Sequence, residues 1–248
     1  MSSDTSLPII VFDVNETLLD ITTLEPLFAR LFGNKILLRE WFAQLLLYSQ
    51  TMTLSGLYTP FDELGVSALQ MTADIHNVRL IDSDIDELKE RMSKMPAHPD
   101  VVPALTKLRE AEFRLVTLTN SANSASPTPL EKAGISHFFE QPFSVEAVGK
   151  FKPAPETYQM VAHALSVDVS DLCLVACHLW DTIGAQAAGC QGAFLTRPHN
   201  ALLSAPNVPA PDFVAADLTT LAEQIIFSTK NNCQCQKMPP YIRTAFLV

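Results

Sequence analysis

Two kinds of hydrophobic pattern divide the chain. Short continuous apolar runs, typical of strands buried on both faces of a parallel sheet, occur once near the start and then only beyond Pro99. These predicted strands are Ile9–Phe12, Phe113–Thr119, Phe143–Ser144, Cys173–Ala176, Ala193–Thr196 and Phe213–Val214. Between the first two runs, apolar residues recur only at the spacing of amphipathic helices. The pattern therefore predicts one strand, then a helical segment, and then alternating strands and helices.

Helical spacing predicts helices on both sides of the second strand. Those before it are Thr22–Phe32, Leu37–Thr53, Phe61–Asn77, Asp84–Met95 and Asp100–Glu112, and those after it are Pro129–Ala133, Pro155–Ala164, Thr182–Ala188 and Leu218–Phe227. Strands that alternate with such helices form βαβ units, so the chain predicts an α/β fold with a doubly wound, Rossmann-like parallel sheet. We assign residues 1–20 and 97–229 to this core domain, 21–96 to a helical cap domain, and no structure to the tail 230–248.

Asp13 directly follows the first strand, and the helical segment begins a few residues later. Open α/β sheets bind ligands at the carboxyl ends of their strands, and an insertion at this point lies above that end, as a lid over an active site does. A carboxylate in this position is costly to bury unless it is paired or has a chemical role. The alternative is that Asp13 caps the next helix and that Thr17 is an ordinary turn residue.

Composition and charge narrow the class of protein. Of the 248 residues, 48% are hydrophobic and 18% are charged, which is ordinary for a folded protein. The formal net charge of −10 argues against a nucleic-acid partner, which requires a basic surface. No apolar run reaches the ~20 residues of a membrane helix and the N-terminus lacks a signal-like core, so we expect a cytoplasmic protein without a membrane partner. The five cysteines form no disulfide framework, and we interpret the Cys233–Cys235 pair as incidental.

Polar residues also follow three of the later strands. They are Thr119-Asn120, Lys152 just before Pro153, and His178 with Asp181. Taken singly, these have ordinary explanations: a turn, a solvated surface lysine, a structural histidine and a helix N-cap. Because the carboxyl ends of parallel strands meet at one edge of the sheet, their shared placement favours a single site with Asp13. In such a site, Lys152 would neutralise Asp13 and keep it ionised.

In this order the residues resemble the four motifs of the haloacid dehalogenase superfamily over nearly the whole chain. The motifs stand here as Asp13-Val14-Asn15-Glu16-Thr17, Thr119-Asn120, Lys152-Pro153 and Asp181. Phosphatases of this superfamily hold Mg²⁺ with carboxylates of the first and fourth motifs and carry a general acid two residues after the nucleophile. Here that position is Asn15, which cannot give up a proton, and Ala176-Cys177 replaces their Gly-Asp pair. A Mg²⁺-dependent small-molecule phosphatase therefore ranks second, and a catalytically silent binding protein on the same fold ranks third.

The chain resembles more closely the type II, or L-2-haloacid, dehalogenases of this superfamily. Trp180-Asp181 followed by Thr-Ile-Gly-Ala, and Tyr158 six residues after Lys152, are similar to their pattern. The resemblance implies that a small-molecule 2-halo acid is hydrolysed to a 2-hydroxy acid of inverted configuration. Asp13 would displace the halide to form an ester, which water would then hydrolyse. The resemblance implies no cofactor and no metal, and it leaves a homodimer open as an alternative to a monomer.

The resemblance also implies a role for each motif residue. Lys152 is the positive neighbour of the nucleophile, hydrogen-bond donors orient it, and Asp181, alone or with His178, is the base for the water. The expected catalytic residues are Asp13, Thr17, Thr119, Asn120, Lys152, His178 and Asp181, of which Thr17, Thr119 and Asn120 are the donors. Two departures bear on the substrate. Ala176-Cys177-His178 replaces the family's Ser-Ser-Asn, and the arginine of its cap helix falls on Phe42.

Arg39 is our candidate to replace that arginine. Positions 39 and 42 lie about one turn apart on one helix face, so a guanidinium at position 39 can bind a substrate carboxylate with two parallel hydrogen bonds. The alternative is a surface arginine at the start of a helix. The expected substrate-binding residues are Asn15, Arg39, Trp41, Phe42, Tyr158 and Trp180. Core packing is the alternative for each candidate aromatic wall residue, Tyr58 included, and for Phe61 it is the interpretation that we prefer.

Overall fold

In the computed structural model, which describes residues 7–122 and 126–237, six strands form one sheet. The strands are β1 (Ile9–Phe12), β2 (Leu115–Thr119), β3 (Gln141–Ser144), β4 (Leu172–Ala176), β5 (Gln191–Leu195) and β6 (Phe213–Ala215). Their order is β3-β2-β1-β4-β5-β6, and every neighbouring pair is parallel. The predicted doubly wound α/β fold is confirmed.

Four α-helices lie between β1 and the helix that leads into β2. They are α1 (Glu25–Phe32), α2 (Leu37–Leu54), α3 (Phe61–Ile75) and α4 (Asp82–Ser93). The helices that alternate with the later strands are α5 (Val101–Glu110), α6 (Pro129–Lys132), α7 (Pro155–Leu165), α8 (Leu179–Ala188) and α9 (Leu218–Lys237). In the described part of the chain, no helix is long and apolar enough to cross a membrane.

Three helix ends differ from the prediction by three residues or more, and the other ends differ by two at most. The segment predicted to begin at Thr22 starts with a 3₁₀ turn, Ile21–Leu24, before α1. Helix α8 begins earlier than predicted, at Leu179, so Asp181 lies in its first turn and is not its N-cap. Helix α9 continues to Lys237 and takes in the start of the tail that we left unassigned. The side chains of Cys233 and Cys235, and residues 238–248, lie outside the described residues.

The position of β1 in the middle of the sheet brings the motifs together. All its residues are buried, and it pairs with β2 on one side (Val11 with Val116) and with β4 on the other (Val11 with Leu174). Three adjacent strands therefore end at the same edge of the sheet, and the residues that follow them meet there.

The helical segment packs against the sheet, and its apolar residues belong to the same hydrophobic core as those of the strands. The Trp41 indole N–H donates to the Gly65 carbonyl over 2.9 Å, joining α2 to α3. At the other end of α2, the Thr53 hydroxyl accepts the Phe151 N–H over 2.9 Å, and the Tyr58 ring stacks on Phe151 with centroids 5.2 Å apart. These contacts fix the helices beside the segment that carries Lys152.

Candidate active site

Asp13 is the centre of a buried cluster of charged side chains at the carboxyl end of β1. One of its carboxylate oxygens, Oδ2, accepts the Thr17 hydroxyl over 2.6 Å and lies 3.1 Å from Nδ1 of His178. The other, Oδ1, accepts the Lys152 ammonium over 2.8 Å. Both oxygens are held and the side chain is buried, so the plane of the carboxylate is fixed.

Lys152 joins the two aspartates of the cluster. Its ammonium donates to Oδ1 of Asp13, to Oδ2 of Asp181 (2.7 Å) and to the Leu118 carbonyl (3.0 Å), which satisfies its three N–H groups. Burial lowers the pKa of Lys152, but Asp13 and Asp181 raise it above its usual value. The lysine is thus a fully buried cation, and the alternative of a solvated surface residue is wrong.

The two aspartates have pKa values that are shifted in opposite directions. Burial raises the pKa of Asp13, but Lys152 and His178 lower it more, so that it stands below the usual range. Burial raises the pKa of Asp181; Lys152 opposes this rise and the charge of Asp13 adds to it, so that it stands above the usual value. Because their pKa values are shifted apart, the two carboxylates suit different roles: Asp13 that of a permanent anion and Asp181 that of a proton acceptor.

Glu16 completes the cluster, and the sequence analysis missed it. One of its oxygens lies 2.9 Å from Nε2 of His178, and the other pairs with Arg39 and accepts from Asn200 over 3.0 Å. The residue is 97% buried, and its φ of 67° lies in the left-handed region that non-glycine residues rarely adopt. Its carbonyl lies 3.0 Å from Nε2 of His98. The signal in the sequence that could have identified Glu16 is that it is a second carboxylate within the first motif, and that the fourth motif contains a histidine, His178.

His178 lies between two carboxylates and two aromatic rings. Because the nitrogens face Asp13 and Glu16, whose ionised oxygens only accept, both nitrogens donate and the ring is an imidazolium. Burial lowers the pKa of His178, but Cys177, Asp13 and Glu16 raise it well above its usual value. Trp180 stacks on the ring with centroids 5.3 Å apart, and Phe42 lies 5.6 Å away.

Several predicted residues lie near the cluster but make different contacts from those expected. Thr119 and Asn120 do not donate to Asp13: the Thr119 hydroxyl accepts the Ser121 N–H over 3.1 Å, and Asn120 Oδ1 accepts the Lys152 N–H over 3.0 Å. These expectations failed because the pattern shows where a polar side chain lies but not which partner it meets. Among the three expected donors, Thr17 alone contacts the nucleophile in the described residues.

The predicted substrate-binding residues divide into two groups. Phe42 and Trp180 lie against His178, Arg39 is paired with Glu16, and Asn15 donates to the Ser121 hydroxyl over 3.2 Å beside a cavity. Tyr158 and Trp41 are instead buried supports. The Tyr158 hydroxyl donates to Asp181 Oδ1 over 2.6 Å. Trp41 is buried and packs against Phe42, and Phe61 is buried and packs against Phe151.

The donor atoms of the cluster do not fit Mg²⁺. Asp13 and Asp181, the motif carboxylates that would have to hold the ion, are both paired with the Lys152 ammonium. An oxygen of Asp13, the Cys177 sulfur and a His178 nitrogen do lie within 4.8 Å of one another. Sulfur and imidazole suit softer ions than magnesium, which prefers six oxygens.

Known proteins support the superfamily resemblance. A sequence profile of the haloacid dehalogenase-like hydrolases matches residues 7–189. The chain is similar to (S)-2-haloacid dehalogenase 1 of Pseudomonas sp. (strain CBS-3), with 32% identity over 72% of this chain and 80% of that protein. It is also similar to (S)-2-haloacid dehalogenase 2 of the same strain, with 28% identity over 89% and 96% of the two chains. A crystal structure of an L-2-haloacid dehalogenase superposes with a TM-score of 0.83 and 28% identity, covering 89% of this chain and 99% of the other.

Proposed function

Because the chain belongs to the haloacid dehalogenase-like hydrolases, we propose that it hydrolyses 2-haloalkanoic acids to 2-hydroxy acids through an ester to Asp13, without a metal. The observation that carries this proposal is the state of Asp13, a buried carboxylate that Lys152 and His178 keep ionised. A carboxylate held in a fixed orientation and shielded from water is suited to attack carbon. The names of the similar proteins support the same chemistry.

The first step forms a bond between an Asp13 oxygen and the carbon that bears the halogen. The carbon–halogen bond breaks and the halide leaves with its electron pair, so the configuration at carbon inverts. In the second step, water attacks the carboxyl carbon of Asp13 and releases the 2-hydroxy acid. Asp181 accepts the proton of the water, a role that its raised pKa favours.

Lys152 supplies the positive charge beside the nucleophile. Its charge holds Asp13 ionised before the first step, which is the task that a cation performs elsewhere. Phosphoryl transfer would lack its main charge stabiliser here, because the Cys177 sulfur and the His178 imidazole beside Asp13 do not suit Mg²⁺. This geometry supports the dehalogenase over the phosphatase, and a cluster of paired charges at the strand ends gives no support to a silent binding protein.

The substrate that we propose is the L, or (S), enantiomer of a small 2-halo acid. The names of both Pseudomonas relatives specify (S)-2-halo acids. Phe42, Trp180 and the partly exposed Arg39 surround His178 and Glu16, and so offer an apolar wall and a cation beside the nucleophile.

Ion chromatography of released halide tests this proposal. Purified enzyme with excess EDTA should release chloride from L-2-chloropropionate, and much less from the D enantiomer. Asp13→Asn should release none. Release of inorganic phosphate that depends on Mg²⁺ and is lost in Asp13→Asn, with no halide from any 2-halo acid, would contradict it.

The cytoplasmic location and the homodimer remain predictions. Leu47 and Leu54 on α2 are 55% and 89% exposed and offer an apolar surface for a second copy. Light scattering of the purified protein would distinguish a dimer from a monomer.

A further inference from the structure

We propose that His178 is a catalytic residue of the second step and that, with Thr17, it forms an oxyanion hole around Oδ2 of Asp13. This inference rests on the proposed function, because it concerns hydrolysis of the Asp13 ester. It assigns different tasks to the two oxygens of the nucleophile. Oδ1 attacks the substrate, and Oδ2 carries the negative charge when water attacks.

The hydrogen bonds of Asp13 distinguish its two oxygens. A carboxylate oxygen has two lone pairs in the plane of the group. Both are engaged on Oδ2, by Thr17 at 2.6 Å and by His178 at 3.1 Å. Among the described residues, Lys152 is the one side chain that donates to Oδ1. Oδ1 therefore keeps a lone pair for carbon, whereas attack by Oδ2 would first break a hydrogen bond.

Alkylation of Oδ1 makes Oδ2 the carbonyl oxygen of the ester. When water adds to the carboxyl carbon, the carbonyl electron pair moves to Oδ2, which becomes an oxyanion. The Thr17 O–H and the His178 N–H already point at this atom, so no group has to reorient. The intermediate then collapses by breaking the bond from carbon to Oδ1.

The protons of this step balance within the cluster. Asp181 takes one proton from the attacking water. Lys152, 2.8 Å from Oδ1, gives a proton to the departing alkoxide and is recharged by Asp181, 2.7 Å away. The second proton of the water leaves to solvent when the new carboxyl group of Asp13 ionises. The net reaction consumes one water and yields the 2-hydroxy acid, the halide and one proton.

Glu16 is the positioning residue for His178. Esterification removes the charge of Asp13, and an imidazolium that faced Asp13 alone would then lose its counter-charge. Glu16 remains, 2.9 Å from the other ring nitrogen, and is itself held by Arg39 and Asn200. The other groups around the ring are the Cys177 thiol, whose pKa burial raises, and the rings of Phe42 and Trp180. The cation thus persists into the ester state, where the oxyanion forms.

His178→Asn tests the proposal by separating the two steps. The first turnover should still release one halide per enzyme at a rate close to that of the wild type. Ester hydrolysis should slow ~10²–10³-fold, the usual loss for one oxyanion-hole donor. The ester should then accumulate and be detected by intact mass on the peptide that contains Asp13. His163→Asn, which changes an exposed histidine on α7, is the matched control and should behave as wild type.

Variants at two other positions keep the proposal testable if His178→Asn does not fold. Thr17→Val removes the other donor and should also accumulate ester, whereas Thr17→Ser keeps the hydroxyl and should not. In Glu16→Gln, His178 loses its remaining counter-charge, so its pKa falls. Ester hydrolysis should then decline with rising pH at a lower pH than in the wild type.

The outcomes separate this inference from the proposed function. If the wild type releases no halide from any 2-halo acid, the proposed function itself fails. If the wild type is active but these variants slow the halide burst and never accumulate ester, the proposed function stands and the assignment of His178 to the second step is wrong.

Discussion

At the scale of single residues, the site depends on matched charges taken out of water. Asp13, Glu16 and Asp181 face Lys152, His178 and Arg39, so three anions meet three cations. Removing one partner of a buried pair costs more than the pair contributes, because it leaves an uncompensated charge. A substitution in the cluster therefore affects stability as well as catalysis.

Asp13→Asn should abolish turnover and lower the stability of the fold. The loss should be smaller than the about 3–5 kcal/mol of an unpaired buried charge, because Asp181 still pairs with Lys152 and Glu16 still pairs with His178. Folding lowers the pKa of Asp13, so its ionised form stabilises the protein above pH 3.8, the pKa in the unfolded chain. Folding raises the pKa of His178, so its protonated form contributes fully below pH 6.5 and contributes less as the pH rises. The difference in thermal midpoint should thus be greatest between about pH 4 and 6.5 and shrink as the pH rises. A difference that grows with rising pH would contradict this account.

Arg39→Lys separates two roles of the guanidinium. Lysine keeps a positive charge beside Glu16 but lacks the planar guanidinium that binds a carboxylate with two parallel hydrogen bonds. If Arg39 also binds the substrate, KM for 2-chloropropionate should rise roughly tenfold with kcat nearly unchanged. An unchanged KM would show that Arg39 acts only through Glu16.

The sequence predicted the charged residues at the strand ends but not the contacts between them. Asp13, Lys152 and Asp181 follow apolar strands, and the parallel order of those strands brings them together. Glu16 joins the cluster because its backbone adopts a positive φ, and its carbonyl contacts His98, which follows the helical segment in the chain. Neither hydrophobic spacing nor residue type encodes such a turn.

At the scale of elements, the site requires α8 to lie close to the segment that carries Lys152. Gly184 makes this possible. A Cβ at that position would clash with Pro153 and stand 2.9 Å from the Tyr158 hydroxyl, which holds Asp181. The strands and most helices could be predicted because their apolar spacing is regular. The start of α8 at Leu179 could not be predicted, because its N-cap residue, His178, makes no side-chain hydrogen bond to the helix that would signal a cap.

Gly184→Ala should therefore destabilise the protein by about 1–3 kcal/mol and reduce kcat, since it displaces Pro153 and Tyr158. Gly65→Ala is the matched control. Its Cβ would meet Leu45 and Trp41 at 3.7 Å, which is an ordinary contact, and alanine favours the helix. Thermal denaturation and halide release measure both effects. Equal behaviour of the two variants would refute this role for Gly184.

At the scale of the whole molecule, the helical segment and the sheet together enclose the nucleophile. Arg39 of α2 reaches Glu16, and Thr53 and Tyr58 contact Phe151 beside Lys152. The hydrophobic pattern predicted this architecture because a helical segment inserted after β1 lies above its carboxyl end. The division into a core domain and a cap domain, with the boundaries given above, remains a prediction.

Metal removal tests the chemistry of the enclosed site as a whole. Activity on a 2-halo acid should survive excess EDTA, because Lys152 supplies the positive charge beside Asp13. Added Mg²⁺ should produce no appreciable hydrolysis of an aryl phosphate. Loss of halide release on chelation, restored by a divalent ion, would overturn the metal-independent mechanism.

The most direct test of the central claim follows oxygen through a single turnover. Enzyme in excess over L-2-chloropropionate is mixed in ¹⁸O-water, and the product and the peptide that contains Asp13 are analysed by mass spectrometry. If Asp13 forms the ester, the first 2-hydroxy acid carries unlabelled oxygen and Asp13 gains the label. Labelled oxygen in that first product, with Asp13 unlabelled, would mean that water attacks the substrate directly and that the ester does not exist.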